Sequence, residues 1–179
     1  GRGTYLLNSK DLNMSAHLSE LAQAGVVSLK IEGRMKSEYY LATVVNAYRR
    51  ILDEGYSAAL GAELECVDHR SYTTAYAFCE NHETVHYTGS QEAGTCEFVA
   101  VVRGHENGRT YVEMRNRFYE NEVLEALSPT APLAQEVTLS DLRDQSGAPC
   151  ADAKLVQGVY SFASPIALTE GDILRRRRQ

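Results

Sequence analysis

The sequence predicts an α/β first part followed by an all-β second part. Three observations carry this reading. The first 55 residues show a helix–strand–helix pattern, the chain turns to short polar helical stretches from about residue 56, and beyond Gly89 it becomes a series of short alternating segments. Gly, Asn, Asp, Ser and Pro punctuate those segments, as expected of strands joined by turns.

In the first part, Asn8 is placed to cap a helix. Leu12, Leu18, Leu21 and Ala22 keep helical spacing after it, and Gly25 ends it. Val27, Leu29 and Ile31 then alternate with Ser28, Lys30 and Glu32, a strand pattern that Gly33 breaks. Ser37 caps a second helix with Leu41, Val44, Val45, Tyr48, Ile51 and Leu52 on its apolar stripe, stopping near Gly55. Helix, strand, helix implies parallel pairing. An open, doubly wound sheet would cover both strand faces with helices and require apolar residues on both, which this strand lacks. The strand therefore reads either as a barrel strand with its polar face in the lumen or as an edge strand with that face in water.

Residues 56–89 read as a helical connector, with Leu60, Leu64 and Val67 on one stripe and Tyr72 to Phe78 forming another. Residues 90–179 contain CEFVAVVRG, RTYVEMRNRF, EVLEALSP, EVTLSDLRD and GDILRR as strands. HENG (105–108) and DQSG (144–147) supply hairpin turns. A small closed antiparallel barrel is the expected architecture, since closure removes sheet edges.

The chain carries a formal net charge of −6, so any binding of nucleic acid must come from local patches. There is no signal-like start and no apolar run of membrane-spanning length, so a cytoplasmic protein with no membrane partner is expected. Cys66, Cys79, Cys96 and Cys150 are widely spaced with no C-x-x-C pair. They read as buried thiols, not as a zinc knuckle, an iron–sulfur site or a disulfide framework.

Lys30, Glu32 and Arg34, with Lys36, form an alternating charged series at the end of the predicted strand and are the catalytic candidates. They fit an internal salt-bridge network, or a site in which Lys and Arg hold an anion while Glu32 orients them or moves a proton. Asn8, Lys10 and Asp11, at the predicted helix start, are substrate-binding candidates through backbone N–H groups, although Asp11 also suits a capping role. His82-Glu83-Thr84-Val85-His86 matches H-E-x-x-H, the helical zinc motif. Its β-branched and turn-forming surroundings oppose a helix, so no metal site is assigned. Arg115 and Arg117 are candidates for phosphate contacts. The terminal Arg175 to Arg178 run fits either such contacts or a solvated tail.

NSKDL (8–12), SLKIEGRMKS (28–37), Tyr39, Tyr40, Tyr48-Arg49, HRSYTTAY (69–76), VEMRNRF (112–118) and GDILRR (171–176) together resemble peptidase family U32, the collagenase-like family. The resemblance covers nearly the whole chain. It implies that residues 1–55 are the C-terminal end of a β/α barrel and that the all-β part is the family's smaller C-terminal domain. It also adds Lys36, Tyr39 and Arg70 to the substrate-binding candidates. Ser71 and Ala75 stand where the family usually has Gly, and Asn121-Glu122 replaces Gly-Asp, which places the local turns in question. Family members carry most of the barrel, and a set of cysteines, before the NSKDL segment, so the chain reads as a C-terminal fragment whose partner is the rest of that barrel.

The most similar bacterial members take part in hydroxylating a wobble uridine of transfer RNA, and a related branch acts on ribosomal RNA. The resemblance therefore implies a tRNA-modification factor forming 5-hydroxyuridine, with tRNA as partner and prephenate and an iron–sulfur cluster as cofactors of the whole protein. Neither cofactor is expected to be held within these residues alone. A peptidase, collagenase-like or zinc-dependent through His82, Glu83 and His86, is the alternative. For the isolated chain a non-catalytic RNA-binding module ranks ahead of either, because half a barrel cannot assemble a full catalytic constellation.

Overall fold

The computed structural model describes residues 7–78, 84–87 and 89–178. It divides into two compact units, Gly1–Thr95 and Cys96–Gln179.

In the first unit, β1 (Asp11–Leu12) pairs in parallel with β2 (Tyr72–Thr73), and a 3-10 turn at Ser15–His17 leads into α1 (Leu18–Gln23). Gly25, at φ 92°, follows α1 as expected. The longer helix predicted from Asn8 does not form, because its first donors are used elsewhere. Lys10 N–H donates to the Thr84 carbonyl (2.8 Å) and Asp11 N–H to the Ser71 carbonyl (3.1 Å). The Asn8 amide caps no helix; it donates to the carbonyls of His86 (3.2 Å), Gly89 (2.9 Å) and Ser90 (3.3 Å).

α2 (Glu38–Glu54) starts where expected, with the Ser37 hydroxyl accepting from Tyr40 N–H at 3.1 Å, and ends at Gly55, φ 89°. It buries Tyr39, Thr43, Val44, Ala47 and Ile51, while Leu41, Val45 and Leu52 from the predicted stripe are exposed. α3 (Ala58–Glu63) and a 3-10 turn at Leu64–Cys66 follow, and Leu60, Leu64 and Val67 are buried as their spacing predicted. Here Gly94 is needed for close approach. A Cβ at that position would lie 2.5–2.8 Å from backbone atoms of Cys66 and Val67.

One expectation for this unit is not shown and another is corrected. Val27 to Glu32 runs without regular pairing, in no sheet among the described residues. Its alternation is that of a strand, but ladder hydrogen bonds come from neighbours, and among the described residues none lies beside it. Tyr72 to Phe78 is not helical either. Tyr72–Thr73 is β2, and Ala75 adopts φ 48°, which stops regular structure.

The second unit is a seven-stranded antiparallel sheet in the order β7-β6-β11-β3-β4-β10-β8. Its strands are β3 (Cys96–Glu106), β4 (Arg109–Met114), β6 (Val123–Leu127), β7 (Gln135–Thr138), β8 (Ser140–Arg143), β10 (Val159–Ala163) and β11 (Ile173–Arg177). A separate pair joins β5 (Phe118–Tyr119) to β9 (Asp152–Ala153). The edge strands β7 and β8 are separated in the chain by Leu139 alone, so the sheet must curl until its edges approach. No described ladder joins those edges, and the architecture is a curled half-barrel. Val99, Val102, Val112, Phe118, Leu124, Leu142, Phe162 and Leu174 fill its interior.

The predicted β3–β4 hairpin forms with Asn107 and Gly108 at φ 50° and 73°, the pair of positive values that a type I′ turn requires. EVTLSDLRD, read as one strand, is split at Leu139 into β7 and β8, with Asp141 at φ 48°. β10, unmarked in the sequence reading, lies between β4 and β8. The terminal arginines are not a solvated tail. Arg175 to Arg177 belong to β11, between β6 and β3, and Arg175 is fully buried against Glu125 (Nη2 to Oε2, 2.9 Å). Among the described residues no helix is long and apolar enough to cross a membrane.

Candidate functional site

The first unit contains a cavity of about 1130 Å³ lined by β1, α2, β2 and the Leu29 to Lys36 segment. Five cationic side chains line it (Lys10, Lys30, Arg34, Lys36 and Arg70) against two carboxylates, Asp11 and Glu32. That excess is local, since the chain as a whole is at −6.

Asp11 is the hub. Arg70 donates to it from Nε (2.9 Å) and from its backbone N–H (3.0 Å), with Nη2 2.7 Å away, while Lys36 Nζ lies at 3.7 Å. Burial alone would raise the Asp11 pKa. The hydrogen bonds from Arg70 and the charges of Lys36 and Arg70 outweigh it and hold the carboxyl below its usual range. Asn8 accepts from Arg70 Nη1 at 3.2 Å, so Asn8 and Asp11 together fix the guanidinium. Lys36 also donates to the Asp68 carbonyl (3.3 Å) and sits 4.5 Å from the Tyr40 ring centroid.

Four tyrosines line the wall: Tyr76, and three with shifted phenols, Tyr40 and Tyr48, two turns apart on α2, and Tyr72 on β2. Burial raises the pKa of all three phenols, reinforced at Tyr40 first by Asp11 and at Tyr72 first by Glu65, so each stays a neutral hydroxyl. Tyr72 donates to the Leu64 carbonyl (2.7 Å) and Tyr48 accepts from Met14 N–H (3.3 Å).

The structure thus brings Lys10, Asp11, Lys30, Glu32, Arg34, Lys36 and Arg70 to one cavity, with Asn8 behind Arg70. Lys30 and Glu32 are exposed and 3.8 Å apart, and Arg34 is exposed too, so this trio is no buried salt-bridge network. Tyr39 is elsewhere. Its ring is in the core and its hydroxyl donates to the Cys66 carbonyl at 3.3 Å. Its neighbour Tyr40 lines the cavity instead; the shared spacing of Tyr40, Val44 and Tyr48 on α2 was the available signal. Arg115 and Arg117 belong to the second unit, where Arg115 pairs with Glu113 and Arg117 with Asp152 (Nε to Oδ2, 2.9 Å).

His82 and Glu83 lie outside the described residues, as does Cys79. Val85 bridges Ser9 in extended conformation, and His86 N–H donates to the Asn8 carbonyl, which is not the backbone of a zinc helix. His86 is buried, with Nδ1 2.7 Å from Ser71 Oγ, and Ser71 donates in turn to Glu92 (2.6 Å). Ser71 has one proton and gives it to Glu92, so His86 must be the donor to Ser71. A hydrolytic triad has histidine between serine and acid; here serine is in the middle and His86 cannot serve it as a base through this nitrogen. Among the described residues no cluster of three His, Cys, Asp or Glu is arranged to hold a metal ion, and Cys66 and Cys96 are buried thiols.

The model of peptidase family U32 matches residues 1–87, and that of the family's C-terminal domain matches residues 94–175. The chain belongs to peptidase family U32. Among U32 relatives, it is 33% identical over 153 residues to tRNA hydroxylation protein P of Escherichia coli, covering 81% of this chain and 33% of the relative. It is 34% identical over 136 residues to the protein of the same name from Haemophilus influenzae, covering 71% and 30%. An uncharacterized protease of Methanocaldococcus jannaschii is 38% identical over 91 residues, covering 45% and 22%. The chain spans about a third of the length of the first two relatives.

Proposed function

We propose that the U32 protein containing this chain is a tRNA-modification factor that forms 5-hydroxyuridine at the wobble position, with the cavity around Asp11 holding an anionic reactant or an RNA phosphate. The observation that carries this reading is the excess of cations in the cavity of an acidic chain. Arg70 is locked by Asp11 and Asn8 and serves as a fixed wall charge. Lys36, with Lys30 and Arg34 at the mouth, supplies adaptable point charges and a forked donor for carboxylate or phosphate. A dicarboxylate such as prephenate suits this donor set, and the neutral phenols of Tyr40, Tyr48 and Tyr72 offer apolar rings beside it. An iron–sulfur cluster does not suit the described cysteines, Cys66, Cys96 and Cys150, which form no cluster, so no step is assigned to one here.

In the same reading, Val27 to Glu32 is a barrel strand whose Ser28, Lys30 and Glu32 side faces the lumen and whose ladder partners lie elsewhere in the protein. Exposure of Val27 on that segment and of Leu41, Val45 and Leu52 on α2 supports this, since a barrel strand and its helix bury those faces against neighbours. The peptidase alternative draws on the family name and the archaeal relative, but the Ser71, His86 and Glu92 arrangement does not favour it.

The test is nucleoside mass spectrometry of transfer RNA from cells lacking the full-length protein, complemented with wild type, Lys36→Ala or Lys30→Ala. Hydroxylated uridine should disappear on deletion, return with wild type, and fall about tenfold or more with Lys36→Ala at normal protein levels, the usual scale for a lost charge-assisted contact. An unchanged nucleoside profile on deletion would sink the reading. Full rescue by Lys30→Ala would return that residue to a surface role.

A further inference from the structure

We propose that the outer face of the half-barrel around Tyr111 is a docking surface for single-stranded RNA. On β4, Thr110, Val112 and Met114 are buried, while Tyr111 points the other way and is 38% exposed. The ladder registers place Gly104 of β3 opposite Tyr111 on one side and Ser161 of β10 on the other, with Arg143 of β8 beyond Ser161. Directly opposed residues on antiparallel neighbours share a face. On the Gly104 side no side chain stands beside the ring, while on the other side Ser161 is buried and carries the Arg109 guanidinium, Nη2 lying 3.3 Å from its Oγ.

Gly104 makes the opening specific. Gly104 sits where the β3–β4 register shifts after Val102, a bulge that a glycine suits, and a Cβ added there would meet nothing within 4 Å, so the position stands open. Here the vacant volume lies beside an aromatic ring.

Four arginines surround this ledge in pairs. Arg103 (Nη2 at 2.6 Å) and Arg115 share Glu113; Arg109 (Nη1 at 2.5 Å) and Arg143 (Nη2 at 3.2 Å) share Asp141. With Glu106, which lies opposite Arg109, the face holds four cations against three carboxylates in a chain of net charge −6. Each shared carboxylate orders two guanidinium groups; Arg109 also donates to the Asp141 carbonyl and to Ser161, whereas Arg103 and Arg143 meet their carboxylates through Nε and Nη2, which leaves Nη1 of each for phosphate oxygens. An open ring among pre-ordered guanidinium groups is what single-stranded RNA binding requires: stacking that tolerates any base, and cations along the backbone. An acidic protein segment would use the charges but would have no use for the exposed ring. The proposal accompanies the RNA reading above, but it is measured by binding, not by modification, so either can fail alone.

The experiment is fluorescence anisotropy of a labelled oligouridine of about 15 nucleotides with the whole 179-residue chain. Affinity should fall between about 50 and about 200 mM salt. Tyr111→Ala should weaken binding about tenfold, the scale of one lost base stack, while Tyr111→Phe should keep it. Gly104→Val fills the space beside the ring without touching the core, so it guards against a Tyr111→Ala variant that merely misfolds, and it should weaken binding comparably. Arg103→Ser with Arg143→Ser should flatten the salt dependence. No salt-sensitive binding by wild type would overturn the proposal, as would equal affinity for Tyr111→Ala and Gly104→Val. So would a polyglutamate peptide that binds with the same Tyr111 dependence, which would identify an acidic protein as the occupant.

Discussion

In the second unit, Glu113 lies between Arg103 and Arg115, Asp141 between Arg109 and Arg143, Asp152 between Arg117 and Lys154, and Glu125 between Arg175 and Arg177. In the first unit, Asp11 is shared in the same way by Lys36 and Arg70, but Lys30 and Arg34 add two cations beside Glu32 at the cavity mouth. The half-barrel satisfies its own backbone through continuous ladders, whereas the Val27 to Glu32 segment has none among the described residues. The comparison separates two uses of charge. On the sheet, carboxylates nearly balance the arginines and hold them in order; in the cavity, cations outnumber carboxylates and the excess is what a ligand would meet.

The largest test of that distinction is Glu125→Ala. Arg175 is fully buried and donates to Glu125 from Nε at 3.0 Å. Removing the carboxylate leaves a desolvated guanidinium without its counter-charge, which should cost about 3–5 kcal/mol. Thermal or urea unfolding should show a large loss for Glu125→Ala and almost none for Glu32→Ala, whose partner Lys30 is solvent-exposed. Equal losses would erase the contrast between the units.

How far the sequence revealed this molecule follows the same division. Strands with local signals were legible: β4 alternates clearly, β3 carries a long apolar run, and Asn107-Gly108 announces the turn between them. β10 was missed because its VYSFA segment is short and buries successive residues, Tyr160, Ser161 and Phe162, so it does not alternate cleanly. GDILRR was legible as a strand, but whether the Arg175 to Arg178 run met phosphates or water was not; the tertiary placement of Glu97, Glu122 and Glu125, which pairs Arg175 to Arg177, has no local signal. In the cavity, the charged candidates were visible as a motif. The choice between Tyr39 and Tyr40 was not, since it depends on which face of α2 meets the core. The helix predicted after Asn8 failed because residues far along the chain, Ser71 and Thr84, take its backbone donors, and no local signal announces such partners.

A smaller effect is expected at Asp11, and its pH dependence has a definite sign. The folded-state carboxyl is held below its ordinary value of 3.8, so its pair with Arg70 and Lys36 stabilises the first unit fully above about pH 4 and fades as pH falls through the lowered folded value. Asp11→Asn should therefore lose stability at neutral pH and converge on wild type in acid. The pair is half-buried, so solvent screening keeps the neutral-pH loss to about 1 kcal/mol. A gap that stays constant from pH 7 to about pH 2 would show that the residue matters by packing and not by charge.

The smallest effects belong to two turns, one in each unit, where a side chain stands in the left-handed region. Ala75 has φ 48° and Asn121 has φ 61°, at positions where the family pattern led us to expect glycine. The backbones keep the conformation that glycine would adopt freely, so each departure is carried as local strain. Alanine has no means of offsetting it; a left-handed L-residue costs roughly 1–2 kcal/mol. Asparagine tolerates the region, and Asn121 N–H also donates to the Leu139 carbonyl at 2.8 Å, which any residue there retains. Ala75→Gly should thus stabilise the chain by about 0.5–1 kcal/mol after the added entropy of glycine in the unfolded state, and Asn121→Gly by no more than a few tenths. Chemical denaturation of the two single variants measures the difference. Because Ala75 lies on the cavity wall, the same Ala75→Gly variant also reports whether the strained turn matters to ligand binding there or only to stability.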